Sequence, residues 1–397
     1  MKALIIGGGV AGPAAAMALQ KAGIDSVIYE AHPAGAYGVG ATMGLSTNGL
    51  AALQVLDAHR AVADAGFPCP RGVMWLGDGR RLGEDVPAPL PDGTTAVQLR
   101  RADLYAALHG HAAARGVPVE YGRRLVQVEH RGDRIVARFA DGGEAVGDVL
   151  IGADGMRSAT RRFVAPDGPR PRYCGIFGTN GFAHGLDLDS GYGTFHMVFG
   201  RRAFFGYVQR EDGCVWWFVN VPAAREPMPA QLAAIPAEQW RQRLHGLLAV
   251  DVSPAARIVQ ATPPGYDWFA AHQMKAPKTW HRGRAVLIGD AAHVTSPSSG
   301  QGAAMAVEDA VELARCLRDL PVAQALPAYQ RLREGRLRKV HAGARQVNRS
   351  KSATGPSRVL RDAMFPVLMK RFGGPQALSW LYDHRIDFDS KVEADAG

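Results

Sequence analysis

Apolar runs far apart in the chain share one plan. Lys2–Ile6, Val149–Ile151 and Ala285–Ile288 are short and continuously apolar, which predicts strands buried on both faces of a parallel sheet. Each leads through small residues into a stretch of helical periodicity. Pro13–Ala22 follows the first and is closed by Gly23, a helix capped by Ser158 follows the second, and Ala303–Leu317 follows the third. Asp25–Tyr29 predicts a further strand, ending in Glu30. Leu50–Leu56 begins a helix, and Arg100-Arg101-Ala102-Asp103-Leu104 opens another that runs to Ala114. Val117–Tyr121, Leu125–His130 and Ile135–Ala140 read as strands, with Asp141-Gly142-Gly143 as a hairpin turn. Gly35–Gly49 is glycine-rich and irregular, suited to a loop that covers a ligand, and Val73–Val97 alternates like hairpin material.

The pattern changes at Tyr173–Val221, where aromatic and β-forming residues dominate. This predicts a separate antiparallel sheet with one face on a cavity. Gln239–Leu248 is a short helix, Ala323–Val347 a basic helix expected to lie exposed, and Val359–Asp389 carries apolar spacing for a covering helix (Leu360, Met364, Leu368, Phe372). The expected fold class is therefore α/β: a Rossmann-like cofactor domain, an antiparallel-sheet substrate domain and C-terminal helices. The expected boundaries are 1–72, 98–165 and 276–350 for the first, 73–97 and 166–275 for the second, and 351–397 for the helical segment.

The 397 residues, 47% hydrophobic, are enough for more than one core, since single cores stop growing near ~250–300 residues. No run of ~18 apolar residues is present, so no membrane span is expected. The N-terminus superficially resembles a secretory signal, but its spaced glycines and the lack of a cleavage site argue against export. Cys69, Cys174, Cys214 and Cys316 are scattered, as free thiols in a reducing cytoplasm would be, and suggest neither a disulfide frame nor a metal site. The net charge of +9 is spread along the chain with few aromatics interleaved, which fits an anionic cofactor better than nucleic acid.

The chemistry sits where strands end. Gly7-Gly8-Gly9-Val10-Ala11-Gly12 lies between the first strand and its helix, with Glu30 ending the next strand at the ~20-residue distance of the dinucleotide fingerprint. Gly7 makes the tight turn, Gly9 admits a pyrophosphate, Gly12 lets helix and strand pack, and Glu30 can hold a ribose hydroxyl. Far downstream, Gly289-Asp290-Ala291-Ala292-His293, Pro297 and Gly300-Gln301-Gly302-Ala303 place an acid at a strand end and glycines at a helix start. Such a helix end attracts an anion, and the acid can accept from a polyol, an arrangement suited to reduced flavin. Asp154-Gly155-Met156-Arg157-Ser158-Ala159-Thr160-Arg161 follows the same plan, and the basic pair Arg100-Arg101 at a helix start calls for a nearby anion or a solvated surface.

Taken together these motifs resemble the FAD-dependent aromatic hydroxylases, single-component flavoprotein monooxygenases of the para-hydroxybenzoate, salicylate and urate hydroxylase type. The match rests on Gly7-x-Gly9-x-x-Gly12 with Glu30, on Asp154-Gly155-x-x-Ser158-x-x-Arg161, and on Gly289-Asp290 through Pro297, Gly300-Gln301-Gly302 and Glu308-Asp309-Ala310, spread over nearly the whole chain. The resemblance implies FAD as cofactor and NAD(P)H as a transient electron donor, with no second nucleotide-binding fold for it. The cofactor contacts it implies are Gly7, Gly9, Val10, Ala11, Gly12, Glu30, Ala31, Arg101, Leu125, Asp154, Gly289, Asp290, Pro297, Gly300, Gln301, Gly302 and Ala303. Ala31 and Ala304 depart from the Arg and Asn of many members and point to the salicylate and urate branch. In that branch Arg202 falls at a substrate-side arginine, while Trp216 stands where a urate enzyme would show Tyr; Tyr207 completes the substrate candidates.

The implied reaction is hydroxylation or epoxidation of a small aromatic, enolic or polyketide-like molecule by O₂ through a flavin C4a-hydroperoxide, in a monomer or homodimer. No catalytic base is identified; His196 and His293 are available, and a lone histidine is more often a structural hydrogen-bonder. The alternatives are an FAD-dependent reductase or dehydrogenase without oxygen insertion, and a non-catalytic flavoprotein. The Trp-x-Trp-x-Ile signature of related halogenases is absent.

Overall fold

A computed structural model describes residues 1–34, 42–372 and 377–393. The apolar strands assemble into a six-stranded sheet in the order His281–Arg282, Ala285–Leu287, Val149–Gly152, Lys2–Ile6, Asp25–Glu30, Val119–Tyr121. All pairs are parallel except the edge pair at His281–Arg282, and Ile5 stands between Ile28 and Ile151, which in turn faces Val286. Leu4, Ile5, Leu150, Ile151 and Val286 have no exposed surface, as the continuous apolar runs predict. Helix Ala11–Lys21 covers one face, and its small buried residues (Ala14, Ala15, Ala18) allow close approach of helix Gly302–Asp319.

The parallel sheet orients every candidate motif the same way. Gly7, Glu30, Ala153 and Gly289 all follow the carboxyl ends of their strands, the edge where open α/β sheets bind ligands. A three-stranded antiparallel sheet (Leu125–Arg131, Arg134–Phe139, Glu144–Gly147) flanks this lobe, and a second small sheet joins Thr42–Leu45, Val97–Arg100 and Phe67–Pro68.

The aromatic region forms a seven-stranded sheet in the order Phe269–Gln273, Arg172–Ala183, Val215–Pro222, Phe204–Gln209, Thr194–Phe199, Arg71–Leu76, Arg81–Asp85. It is mixed rather than wholly antiparallel, because Thr194–Phe199 runs parallel to Arg71–Leu76. Its rear face (Val198, Phe205, Tyr207, Trp217, Val219) packs on helices Ala237–Leu248 and Ala255–Gln260 through Leu244, Leu248, Ile258 and Val259. Its other face carries Phe195, Trp216, Phe218 and Asn220 toward the cofactor lobe. The boundaries expected at 72/73 and 97/98 each fall inside a strand, and the one at 350/351 cuts the last residue from a helix.

Other expectations change as well. Of the segment Gly35–Gly49, residues 35–41 lie outside the described residues, and the rest is strand Thr42–Leu45 and the start of helix Thr47–Val55. The basic helix runs from Val322 to Lys351 and is not simply exposed. Arg331, Arg338, Lys339 and Arg345 face solvent, but Arg333 is buried, with ion pairs of 2.8 Å to Glu308 and 2.8 Å to Asp309. Helix Gly355–Phe372 covers the sheet with the face opposite to the one expected. Leu360, Met364 and Leu368 are 60%, 47% and 36% exposed, while Arg361 donates to the carbonyls of Phe199 (3.1 Å) and Gly200 (3.0 Å) and Phe365 packs on Phe199. Guanidinium bonds to strand-end carbonyls thus decide the helix's rotation over its apolar stripe. Among the described residues no helix is long and apolar enough to cross a membrane.

Candidate functional site

The glycine-rich turn is fixed by steric necessity. Gly7 has φ +106°, and a Cβ there would meet the Ala153 carbonyl oxygen at 2.5 Å; a Cβ on Gly12 would meet the Gly7 carbonyl oxygen at 2.1 Å. A Cβ on Gly9, by contrast, meets nothing within 4 Å, so the backbone there is open to an approaching ligand. Val10 and Ala11 begin the helix with no side-chain cap and no acid in its first turn, which leaves its positive end unmatched. Glu30 accepts from Gly8 N at 2.7 Å and from His32 N at 2.7 Å, so two amides aim its carboxylate beside the turn while it stays half-buried. Ala31 follows it, and the Glu30 carbonyl accepts from Arg123 N at 2.8 Å, which brings the strand starting at buried Leu125 alongside.

The second half of the site is built on the strand Ala285–Leu287. Gly289–Ala291 forms a single 3₁₀ turn, with Gly289 and Ala291 buried and Asp290 exposed at the bottom of a cleft that protein surrounds. Burial raises the Asp290 carboxyl above the usual carboxylate range, against the opposing pull of His293, Arg101 and Arg161. Arg101 is thus near enough to Asp290 to favour its charge, while its neighbour Arg100 is taken up by Asp103 at 2.6 Å. Pro297–Ser299 is another 3₁₀ turn, Gly300 sits at φ +63°, and helix Gly302–Asp319 starts there with no side-chain cap and no acid in its first turn. Pro297 and Gly300 are exposed to the cleft, Ala303 is partly covered, and a Cβ on Gly300 or Gly302 meets nothing within 4 Å.

Side chains behind the cleft hold these turns in place. Asp309 accepts from Gly289 N at 2.9 Å and pairs with His293 at 2.6 Å. Asn48 donates to Gln301 Oε1 (2.9 Å) and Glu308 (2.8 Å), and Gln301 donates to Ser46 at 3.0 Å. Gln301 is therefore buried and orders the turn instead of facing the cleft. Asp154 is similar. Its oxygens accept from Ser158 Oγ (2.5 Å), Ala159 N (2.7 Å) and Thr160 N (2.9 Å), so the carboxylate caps its own helix. Its link to the cleft runs through Arg161, whose guanidinium donates to the carbonyls of Asp290 (3.3 Å) and Ala291 (3.0 Å).

The substrate candidates divide. Trp216 lies on the face toward the cofactor lobe, edge-on to Phe182 and Phe67, with Arg210 over its ring at 5.4 Å. Tyr207 points the other way, stacked on His196 at 4.8 Å in the rear core. Arg202 is exposed on a hairpin turn and donates to the Gly246 carbonyl of a rear helix at 3.3 Å. Strand alternation explains Tyr207: it shares parity with Phe205, not with Val208, the cross-strand partner of Trp216. His196 is held by Trp75 (3.1 Å) and the Ser190 carbonyl (2.8 Å), and His293, itself buried, pairs with Asp309.

Sequence reasoning missed some residues of the site. His109, buried on helix Arg101–Ala114, bonds the Gly8 carbonyl at 2.6 Å. Asn48 belongs to the same list, and neither stands out from its neighbours in composition or spacing.

The residues present fit an FAD. Open glycine backbone faces the cleft at two helix starts, and an ionisable acid with no side-chain partner among the described residues lies near basic groups at its base. A family model described as FAD binding domain matches residues 1–340. The aurachin C monooxygenase/isomerase of Stigmatella aurantiaca is 32% identical over 353 residues, covering 87% of this chain and 88% of that protein. The FAD-dependent urate hydroxylase of Klebsiella pneumoniae is 30% identical over 383 residues, with 94% and 96% covered. The crystal structure of Klebsiella pneumoniae HpxO complexed with FAD and uric acid superposes with a TM-score of 0.82 at 28% identity, over 96% of this chain and 97% of that one. These names are those of a monooxygenase and hydroxylases, and nothing in them supports a reductase that inserts no oxygen.

Proposed function

The chain belongs to the FAD-dependent aromatic hydroxylase family, and from that premise we propose how its own residues divide the work of an NAD(P)H-using flavoprotein monooxygenase. The Gly7–Gly12 turn would hold the adenosine end of FAD, with Glu30 accepting from the ribose, and Asp290 would accept from the ribityl hydroxyls. The Pro297–Gly302 turn and the helix start behind it would receive the ring. Bound FAD supplies the redox and oxygen chemistry, with NAD(P)H as electron donor and O₂ as co-substrate.

The protein's part is placement and electrostatics. Unmatched amides at Gly300–Gly302 stabilise negative charge at that end of the cleft, worth several-fold more in a water-poor site than in solvent. Trp216 and Phe218 offer flat apolar walls to a small aromatic, enolic or polyketide-like substrate, in edge-on or stacked contact. Asn220 on the same face adds a polar anchor. One copy of the chain carries every group named, so a monomer suffices and a homodimer would carry two independent sites. The four free cysteines suit a reducing cytoplasm.

The observation that carries this reading is the exposed Asp290 between two uncapped helix starts at one edge of the parallel sheet. The test is purification in the presence of FAD, followed by assay of NADH and NADPH oxidation against a panel of hydroxylated aromatic acids. A flavin spectrum, oxidation accelerated by a panel member, and a product heavier by one oxygen atom are expected. Accelerated oxidation with the panel compound recovered unchanged and only hydrogen peroxide formed, or no retention of FAD, would overturn it.

A further inference from the structure

Lys351 ends the long helix and is buried at 7% exposure, yet among the described residues it has no carboxylate partner. Its amine lies 3.3 Å from Asn220 Oδ1, 3.9 Å from the centre of the Phe204 ring and 5.6 Å from that of Phe218. Asn220 and Phe218 are on the sheet face assigned to the substrate, and the helix that carries Lys351 packs against the Pro297–Ser299 turn. One turn earlier on that helix, buried Asn348 accepts from Ser296 at 2.9 Å and lies against the Cys174 thiol. A buried amine whose hydrogen bonding is limited to a single amide oxygen is costly unless a ligand completes it. A structural ammonium would be expected to have a counter-ion; aromatic faces and an amide are instead the surroundings of a binding group.

We propose that Lys351 is the substrate-recognising group of this enzyme: its amine takes the proton from an acidic ring O–H, phenol or enol, and as ammonium holds the oxyanion against the Phe218–Asn220 face. The inference rests on the cleft being the flavin and substrate site. The step is a proton transfer only. The O–H bond of the substrate breaks, its electron pair stays on oxygen, and a fourth bond forms at the lysine nitrogen. The outcome is a more electron-rich ring, which an electrophilic oxygen donor attacks more readily, and a fixed orientation for it.

The surroundings support a neutral resting amine. Burial pushes the Lys351 amine down to about 7, with no charged group contributing. Titratable groups around this helix end include the Cys174 thiol, raised by burial and lying beside Ser296 and Asn348, and Arg361 on the next helix, which donates to the Ser350 carbonyl at 2.9 Å and is paired with Asp362. Neither offers a negative charge to Lys351.

The test uses FAD-loaded wild type, Lys351→Met, Lys351→Gln and Lys351→Arg, with 3-nitrophenol as chromogenic probe and 3-nitroanisole as the form that cannot ionise, in weak buffer at about pH 8, where most of the Lys351 amine is neutral. Wild type should bind the phenol as its yellow anion without releasing a proton to the buffer. Lys351→Met, or Lys351→Gln if the former folds poorly, should bind it about tenfold or more weakly and uncoloured. Lys351→Arg should bind the anion but release a proton, because a guanidinium cannot accept one. The anisole should bind all forms alike. Equal affinity and colour in wild type and the neutral variants, or an uncoloured probe on wild type, would overturn the proposal. Failure of the underlying reading is separate and is seen first, as wild type that retains no FAD.

Discussion

Asp290 and Lys351 are opposite cases of an ionisable group that the fold leaves incomplete. Among the described residues Asp290 gives its carboxylate to no donor, although Arg101 and Arg161 are near enough to favour its charge. Asp290→Ala should therefore leave the fold intact but weaken FAD binding by about 10- to 100-fold, the worth of hydrogen bonds to a charged acceptor. Flavin fluorescence titration measures this, and unchanged affinity would remove the acid from the ribityl role. Lys351 carries a cost in stability. Its ordinary value is 10.5, and the folded chain lowers it to about 7, so folding disfavours the ammonium. The penalty is absent above about 10.5, grows as pH falls from there to about 7, and is constant below. The melting temperature of Lys351→Met minus that of wild type should follow this course between pH 10 and pH 6. A difference that does not vary with pH would show that Lys351 is not buried as a neutral amine.

At the scale of elements, the cleft depends on the clamp between helices Gly302–Asp319 and Val322–Lys351. Arg333 bridges Glu308 and Asp309, Arg336 adds 2.7 Å to Glu308, and Asp309 in turn orients Gly289 and His293. Burial alone would raise both acids; the guanidiniums beside Glu308, and His293 together with Arg333 beside Asp309, hold each at about 2. The stability they add is complete above 4.5 and 3.8, their ordinary values, and is lost as pH falls toward about 2. Arg333→Met leaves two buried carboxylates short of a partner and should cost about 3–5 kcal/mol, read from urea unfolding. The same variant should show a flatter acid limb, since its carboxylates start closer to their unfolded values.

The element scale is also where the sequence was least legible. The motif Glu308-Asp309 was visible, but its partner Arg333 looked like one cation among many on a basic helix. Charge composition does not tell which turn faces inward when the inward residues are themselves charged. Helix Gly355–Phe372 misled in the reverse direction: its apolar stripe suggested the buried face, and Arg361 reaching two strand-end carbonyls decided otherwise. The strands, in contrast, were legible nearly to the residue, because a run buried on both faces of a parallel sheet has no polar positions to confuse its ends. Site glycines were legible for a similar reason, as Gly7 and Gly12 leave no room for a side chain. Tyr207 and Arg202 were not, since a sheet residue's face depends on register across strands that a single sequence does not display.

Across the whole molecule, the cleft is a seam. Gly7–Gly12 and Asp290 belong to the parallel-sheet lobe, Trp216, Phe218 and Asn220 to the seven-stranded sheet, and helix Val322–Lys351 reaches from the first to the second. A ligand that spans the edge from Glu30 to the Pro297 turn binds only when the strands that present those groups are assembled, so it stabilises the folded state by mass action. At FAD concentrations about 100-fold above Kd the gain is about 2.7 kcal/mol, a rise of a few degrees in melting temperature for a chain of this size. Scanning calorimetry of apo and FAD-loaded protein should show that rise in wild type and a smaller one in Asp290→Ala at the same FAD concentration. It should also show whether the lobes are coupled through the long helix. If they are, both lobes move together in one transition when FAD is added. If only an early-melting fraction shifts, the seven-stranded sheet folds independently of the seam, and the substrate face would be preformed before cofactor arrives.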